Sequence, residues 1–319
     1  METVLVTGGS GLVGYAIQEI SKNEKYSSKY KFVFIEISHC DLTNFEDTLR
    51  CFKEIQPKYV IHLAANVGGL FKNMKYKVDM FEKNILINMN VLKASHEVGV
   101  IKLIGCLSTC IFPDKTKYPI DETMLHNGPP HFSNDAYAYA KRMLEVQCKA
   151  YQEQYGSNFV CIVPTNIYGE NDNYNLDDAH VIPALIHKCY LAKKQNKPFV
   201  VSGSGKPLRQ FIYSHDLAKL IFNVLFDYEE KETIILSVSE KDEVTISHVA
   251  SIIAQKFDYT HMLEYDYSKP DGQYKKTADN TKLMKFLDSK KIDFSFTPMN
   301  EGLNKSIDWF LDNYDICRK

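Results

Sequence analysis

The amino-acid sequence predicts an α/β fold: a Rossmann-type doubly wound parallel sheet with a smaller C-terminal α/β substrate lobe. Three observations carry this. Short apolar runs alternate with helix-like stretches through the first half of the chain, the rhythm of a parallel sheet covered on both faces. A glycine-rich turn joins the first apolar run to the first helix. The rhythm then loosens after residue 166 into shorter segments that suit a second lobe.

The elements follow in order. Residues 4–7 read as a buried strand, and a helix starts near Gly11. Residues 32–35 form a second strand, 45–55 a helix and 59–63 a third strand, with Pro57 punctuating the gap. A helix over 81–98 leads to a fourth strand at 102–107, and a helix over 137–155 leads to a strand at 160–164. The stretch 169–178 is rich in Gly, Asn and Asp and reads as a loop, followed by a helix over 183–193 and a tight connection at 203–207. Residues 209–216 return to the main body. The chain therefore divides into a dinucleotide-binding domain of residues 1–166 and about 208–236, and a lobe of about 167–207 and 237–319.

Bulk properties narrow the function. A formal net charge of -2 with acids and bases interleaved offers no face for a polyanion, so nucleic acid is not an expected partner. No apolar run reaches the ~20 residues that cross a bilayer, and the N-terminus opens on a strand without a basic segment or cleavage site. Eight scattered cysteines contain no CxxC pair, which fits reduced thiols in the cytoplasm rather than a disulfide framework or a metal site.

The stretch Thr7-Gly8-Gly9-Ser10-Gly11-Leu12-Val13-Gly14 has the glycine spacing of a dinucleotide loop. Its glycines allow a tight turn, close approach of backbone to pyrophosphate and close helix–strand packing. The helix start adds free N–H groups and a favourable dipole. After the second strand comes Glu36-Ile37-Ser38-His39-Cys40-Asp41. Glu36 suits a ribose hydroxyl, while Ser38 and His39 suit a 2′-phosphate, so NAD and NADP both remain open on these residues.

Tyr137 and Lys141 stand one helical turn apart and share a face. The ammonium is expected to lower the phenol's pKa, tuning it for proton exchange with an alcohol or carbonyl. Ser108 ends the fourth strand, at the sheet edge where such folds bind ligands. Cys110 follows two residues later. A cysteine beside a strand is usually core filling, but near Ser108 a thiolate is placed to take a proton beside a ketone if a cation lowers its pKa. His180 is a candidate partner, although a histidine opening a helix is often only structural.

These residues, with His62-Leu63-Ala64-Ala65, resemble the extended short-chain dehydrogenase/reductase superfamily. The resemblance narrows to its GDP-L-fucose synthase family through Ala64-Ala65-Asn66-Val67-Gly68-Gly69-Leu70, Leu107-Ser108-Thr109-Cys110-Ile111-Phe112-Pro113, Asn127-Gly128-Pro129-Pro130-His131, Pro164-Thr165-Asn166-Ile167-Tyr168-Gly169, Arg209-Gln210-Phe211-Ile212-Tyr213-Ser214 and Lys269-Pro270-Asp271-Gly272-Gln273. It implies a two-stage reaction on GDP-4-keto-6-deoxy-D-mannose, in which C3 and C5 are epimerised and NADPH then reduces C4. Cys110 matches the family's base and His180 its acid, while Tyr137 protonates the oxygen with help from Ser108 and Lys141. The resemblance implies NADP(H) contacts from residues 8–14, Ser38, His39, Asp41, Leu63, Ala64, Ala65, Leu107, Ser108, Tyr137, Lys141, Pro164, Thr165, Asn166 and His180. It places the GDP-sugar on Asn166, Lys188, Ser202, Arg209 and Asp271, and it implies a homodimer formed through helices of the cofactor domain.

Two positions depart from the family's pattern. Ser202 stands where a tryptophan is frequent, which weakens an expected aromatic contact to the ligand rather than the chemistry. Glu36 leaves the preference for NADP resting on the resemblance. A dehydratase would carry an Asp-Glu pair where this chain has Cys110-Ile111. A 4-epimerase would need no cysteine base, and a non-catalytic dinucleotide binder would not need all five of Ser108, Cys110, Tyr137, Lys141 and His180.

Overall fold

The computed structural model describes residues 1–271 and 273–319, so Gly272 of the Lys269-Pro270-Asp271-Gly272-Gln273 stretch lies outside the described residues. The chain opens with β1 (Glu2–Thr7), α1 (Leu12–Ser21), a short α2 (Glu24–Ser27) and β2 (Tyr30–Ile35). It continues through α3 (Phe45–Ile55), β3 (Tyr59–His62), α4 (Leu70–Lys75), α5 (Lys77–Glu97) and β4 (Lys102–Cys106). Next come α6 (Asp135–Tyr155), β5 (Phe159–Pro164), β6 (Asn166–Tyr168), α7 (Val181–Gln195), β7 (Phe199–Ser202), β8 (Leu208–Arg209) and β9 (Phe211–Tyr213). The remainder is α8 (Ser214–Asp227), β10 (Ile234–Leu236), β11 (Val244–Thr245), α9 (Ile246–Lys256), β12 (Leu263–Asp266), α10 (Thr281–Ser289) and α11 (Met299–Asp312).

Six strands form one parallel sheet in the order β10-β5-β4-β3-β1-β2. Alternate side chains enter two cores, as a period of two requires. Leu5, Val60, Leu103 and Val163 face α3, α5 and α6, whereas Val4, Val6, Ile61, Ile104 and Ile162 face α1 and α8. The strand order reverses between β1 and β3, where Thr7 pairs with His62. Such a switch point opens a ligand crevice at the carboxyl ends of the strands.

A third core joins α7, α9 and α11 to β7 and β12 through Ile186, Phe199, Ile253 and Phe310. The stretch containing α10 does not join this core: Leu283, Phe286 and Leu287, with Ile292, Phe294 and Phe296, pack onto the α8 side of the main sheet. This part of residues 237–319, expected in the smaller lobe, is thus held by the dinucleotide-domain core, because its apolar face finds β10 and α8. The long helix expected over 81–98 starts earlier, at Lys77, with Asp79 in its first turn. An acid there suits the helix dipole. Among the described residues, no helix is long and apolar enough to cross a membrane.

His62 ties the crevice floor together. Its Nδ1 lies 2.8 Å from Thr7 Oγ1 and its Nε2 3.1 Å from Asn88 Oδ1. Thr7 Oγ1 also accepts the Ala64 N–H, and Asn88 donates to Ala140 O. Complete burial lowers the imidazole pKa from 6.5 to about 3, so His62 is neutral in the fold. The unfolded chain takes this proton first. The stabilisation is therefore complete above pH 6.5 and is lost as pH falls toward 3, at about 1.4 kcal/mol per pH unit. Urea unfolding of the wild type and His62→Gln at neutral and acidic pH checks this, with the gap between them expected to narrow in acid.

Candidate active site

The glycine loop is shaped by its neighbours. The Gly8 and Gly9 N–H groups donate to Ile35 O at 3.0 and 3.1 Å, and Gly8 adopts φ +74°. A Cβ on Gly8 would sit 2.9 Å from Ala64 N, one on Gly9 2.7 Å from Phe34 Cβ, and one on Gly14 would press into the carbonyl oxygens of Gly8 and Gly9. These positions leave room only for backbone. Gly11 caps α1 without a side-chain hydrogen bond, so the N–H groups of Leu12 and Val13 open the helix toward the crevice mouth. Ser10 O accepts from Asn171 Nδ2 at 3.0 Å, which fastens the loop to the chain beyond β6.

Ser38 and His39 are exposed beyond β2, with His39 Nδ1 3.9 Å from Glu36 Oε1. Asp41 is engaged otherwise: its Oδ1 accepts from Thr43 N and Oγ1 at 2.9 and 2.7 Å, closing the turn before α3. On the far wall, Thr165 follows β5 and is buried, yet its Oγ1 has no hydrogen-bond partner among the described residues. An orphaned hydroxyl of this kind calls for a partner from outside the chain. With the glycine cradle and the free helix start, it fits a dinucleotide laid across the crevice. Asn166 Nδ2 donates to Gln210 O at 2.9 Å, and Leu63, Ala64 and Ala65 form the loop leaving β3.

Four expected residues meet beyond β4. Leu107 N donates to Ile162 O at 2.8 Å, placing Ser108 at the sheet edge in extended conformation. A one-turn helix, Thr109–Ile111, then carries Cys110, and Arg142 Nε anchors it at Ile111 O. Ser108, two residues back, favours the ionised form of the Cys110 thiol. Tyr137 and Lys141 come from the facing side of α6, with Lys141 Nζ 2.9 Å from Cys106 O and 5.9 Å from the Tyr137 ring centre.

The electrostatics differ from the sequence reading. Lys141 was expected to lower the Tyr137 pKa. Burial instead raises it well above 10, reinforced by the Cys110 and Cys106 thiols. The reason is that Lys141 is itself desolvated and spends its charge on the Cys106 carbonyl, with burial lowering its own pKa. Tyr137 is therefore a neutral phenol at neutral pH, a proton donor. Burial raises the Cys110 thiol as well, and the cations opposing this are Lys276 and Lys141. His180, the expected cationic partner of this thiol, is not among them.

His180 caps α7 on the opposite wall, and its ring has no hydrogen-bond partner among the described residues. The residue is exposed. Desolvation lowers its pKa and Asp178 opposes that.

Lys276 is a site residue that no sequence motif signals. Gln210 brings it in: Nε2 donates to Ala278 O at 3.0 Å and Oε1 accepts from Ala278 N at 2.7 Å, so the 275–278 strap lies beside Arg209. Cys110, Arg209 and Asp114 all act on the Lys276 ammonium. Of the residues expected to hold substrate, Lys188 lies on α7 and is half-buried, and Ser202 ends β7, exposed. Arg209 Nη1 donates to Leu208 O at 2.7 Å. The Asp271 carboxylate folds onto the tight turn, accepting from Ser204 N and Oγ at 2.8 and 2.6 Å.

A crevice at the switch point, a glycine cradle and a Ser/Tyr/Lys cluster define a nucleotide-dependent redox site. Residues 4–237 match the NAD dependent epimerase/dehydratase family. The GDP-L-fucose synthase of Dictyostelium discoideum is 56% identical over 317 residues, covering 99% of this chain and 98% of that one. The chain belongs to the GDP-L-fucose synthase branch of this family. A probable GDP-L-fucose synthase of Drosophila melanogaster is 49% identical with both chains fully covered. The crystal structure of a GDP-L-fucose synthetase from Naegleria fowleri bound to NADP superposes with a TM-score of 0.92 at 45% identity, covering 100% of this chain and 96% of that one.

Proposed function

We propose that this chain converts GDP-4-keto-6-deoxy-D-mannose into GDP-L-fucose, epimerising C3 and C5 and then reducing the C4 ketone with NADPH. The observation that carries the reading is the meeting of two chemistries beyond β4: the Cys110 thiol of the one-turn helix and the Tyr137 phenol of α6, which packs against that helix, are close enough to act on one another. Full-length similarity to GDP-L-fucose synthases supports the substrate.

In this reading Cys110, as thiolate, removes a proton from carbon beside the ketone, and Ser108 and Tyr137 hydrogen-bond the oxygen that takes up the negative charge. His180 returns a proton from the opposite wall, which inverts the centre. Lys276 and Lys141 favour the thiolate against burial. NADPH, when bound by the glycine loop, Thr165 and Lys141, supplies the hydride for C4. Tyr137 gives its proton to O4, a role suited to a phenol whose pKa is raised. Arg209 and Lys188 offer cations to the diphosphate.

The homodimer is supported by a bare apolar face on the paired helices α5 and α6, where Leu86, Met89, Met143 and Val146 are exposed. Sedimentation should give twice the chain mass, and Met143→Glu should shift the protein to monomer. A cytoplasmic setting is supported by eight cysteines that are all free.

The test is to supply GDP-4-keto-6-deoxy-D-mannose and follow NADPH loss with product analysis. GDP-L-fucose formed one-for-one with NADPH oxidised sustains the reading, and a C4-reduced product with unchanged C3 and C5 refutes it.

A further inference from the structure

We propose that Asp178 is a positioning residue that clasps the two walls of the cleft and so fixes His180. The claim rests on the reading of His180 as the epimerisation acid. Asp178 lies two residues before His180, in the loop between β6 and α7. Its Oδ1 accepts the Gly69 N–H at 2.6 Å, across 109 residues of sequence, and its Oδ2 lies 4.0 Å from Lys72 Nζ. The approach is close on the backbone side too, since a Cβ on Gly69 would come within 3.1 Å of Asp178 O.

Both ends of this clasp are anchored. On the dinucleotide side, Asn66 N donates to Asn84 Oδ1 at 2.9 Å and Asn84 Nδ2 returns a bond to Asn66 O at 3.0 Å, pinning the loop to α5. Lys72 Nζ donates to Val67 O, and Asn73 Nδ2 holds Gly68 O and Gly69 O. On the other side, Asp178 N and Ala179 N both donate to Asn175 O at 3.1 and 2.7 Å, closing a turn that leads directly into His180 at the head of α7. His180 has no side-chain hydrogen bond of its own among the described residues, so its place is set by this backbone. Asp178 is also the charge that favours the protonated form of His180 against desolvation by the protein around it. A carboxylate is suited to both tasks, because it accepts from an N–H and pairs with an ammonium at once.

The test compares wild type, Asp178→Ala, Asp178→Asn and His180→Asn. Three readouts are taken: deuterium entry at C3 and C5 of the substrate in heavy water, amide-hydrogen exchange of the segment containing Gly69, and NADPH affinity. Asp178→Ala should slow substrate exchange by about 10²-fold, the cost of misplacing a reacting group by about an ångström. It should also deprotect the Gly69 amide while leaving NADPH affinity within about twofold. Asp178→Asn keeps an acceptor for Gly69 and should restore most of the rate and the protection. Unchanged substrate exchange or unchanged Gly69 protection in Asp178→Ala overturns the proposal, as does Asp178→Asn behaving like Asp178→Ala. Full substrate exchange in His180→Asn removes His180 from its role, and Gly69 protection then still decides the clasp.

Discussion

Replacing Cys110 by serine stops deuterium entry at C3 and C5 while leaving NADPH binding intact. Serine keeps the size but holds its proton far more tightly than a thiol. The expected loss is about 10²–10⁴-fold, the range for a removed general base. The wild-type pH profile adds a sharper form of this prediction. Burial lifts the Cys110 pKa above 9.0, and desolvation by the surrounding protein lowers that of the exposed His180 below 6.5, so the base is more basic than the acid. The fraction with Cys110 ionised and His180 protonated is then constant between the two pKa values. kcat/KM for exchange should be level across that window, falling in acid as thiolate is lost and in alkali as imidazolium is lost. A profile that climbs through neutrality with a thiol-like slope would mean that His180 takes no part. Serine-variant exchange at the wild-type rate would mean that another group is the base.

Tyr137→Phe has the complementary outcome. The substitution removes one hydroxyl from a pocket where the ring is held by α6 and the core around Ala138 and Leu144, so the fold and Cys110 remain. Exchange at C3 and C5 continues, slowed by the loss of one hydrogen bond to the enolate oxygen, while NADPH oxidation falls by about 10²–10⁴-fold. Because the phenol is neutral in the fold, the reduction rate should not fall with decreasing pH through the neutral range on account of Tyr137. Substrate-dependent NADPH oxidation near the wild-type rate in Tyr137→Phe would assign the proton to another donor.

The parts of the site readable from sequence are those written in short stretches. The glycine loop, the Tyr137–Lys141 helical pair and Ser108 at a strand end each depend on local spacing, and the fold places them where that spacing implies. The sign of the Tyr137 pKa was not readable, since it follows from how much protein surrounds the ring and from Lys141 turning to a carbonyl. Lys276 and Asp178 were hidden for a different reason. Each reaches the cleft through a long-range tie, Gln210 to Ala278 and Asp178 to Gly69, and no periodicity in one sequence records such a tie. The same holds for α10, which falls in the stretch the sequence assigns to the smaller lobe but whose apolar face packs on the main sheet.

The most direct test of one pocket performing both reactions is a single turnover in heavy water with unlabelled NADPH, read by NMR of the sugar. The account predicts deuterium at both C3 and C5 of GDP-L-fucose and protium at C4. Protium retained at either C3 or C5, or deuterium at C4, would contradict it.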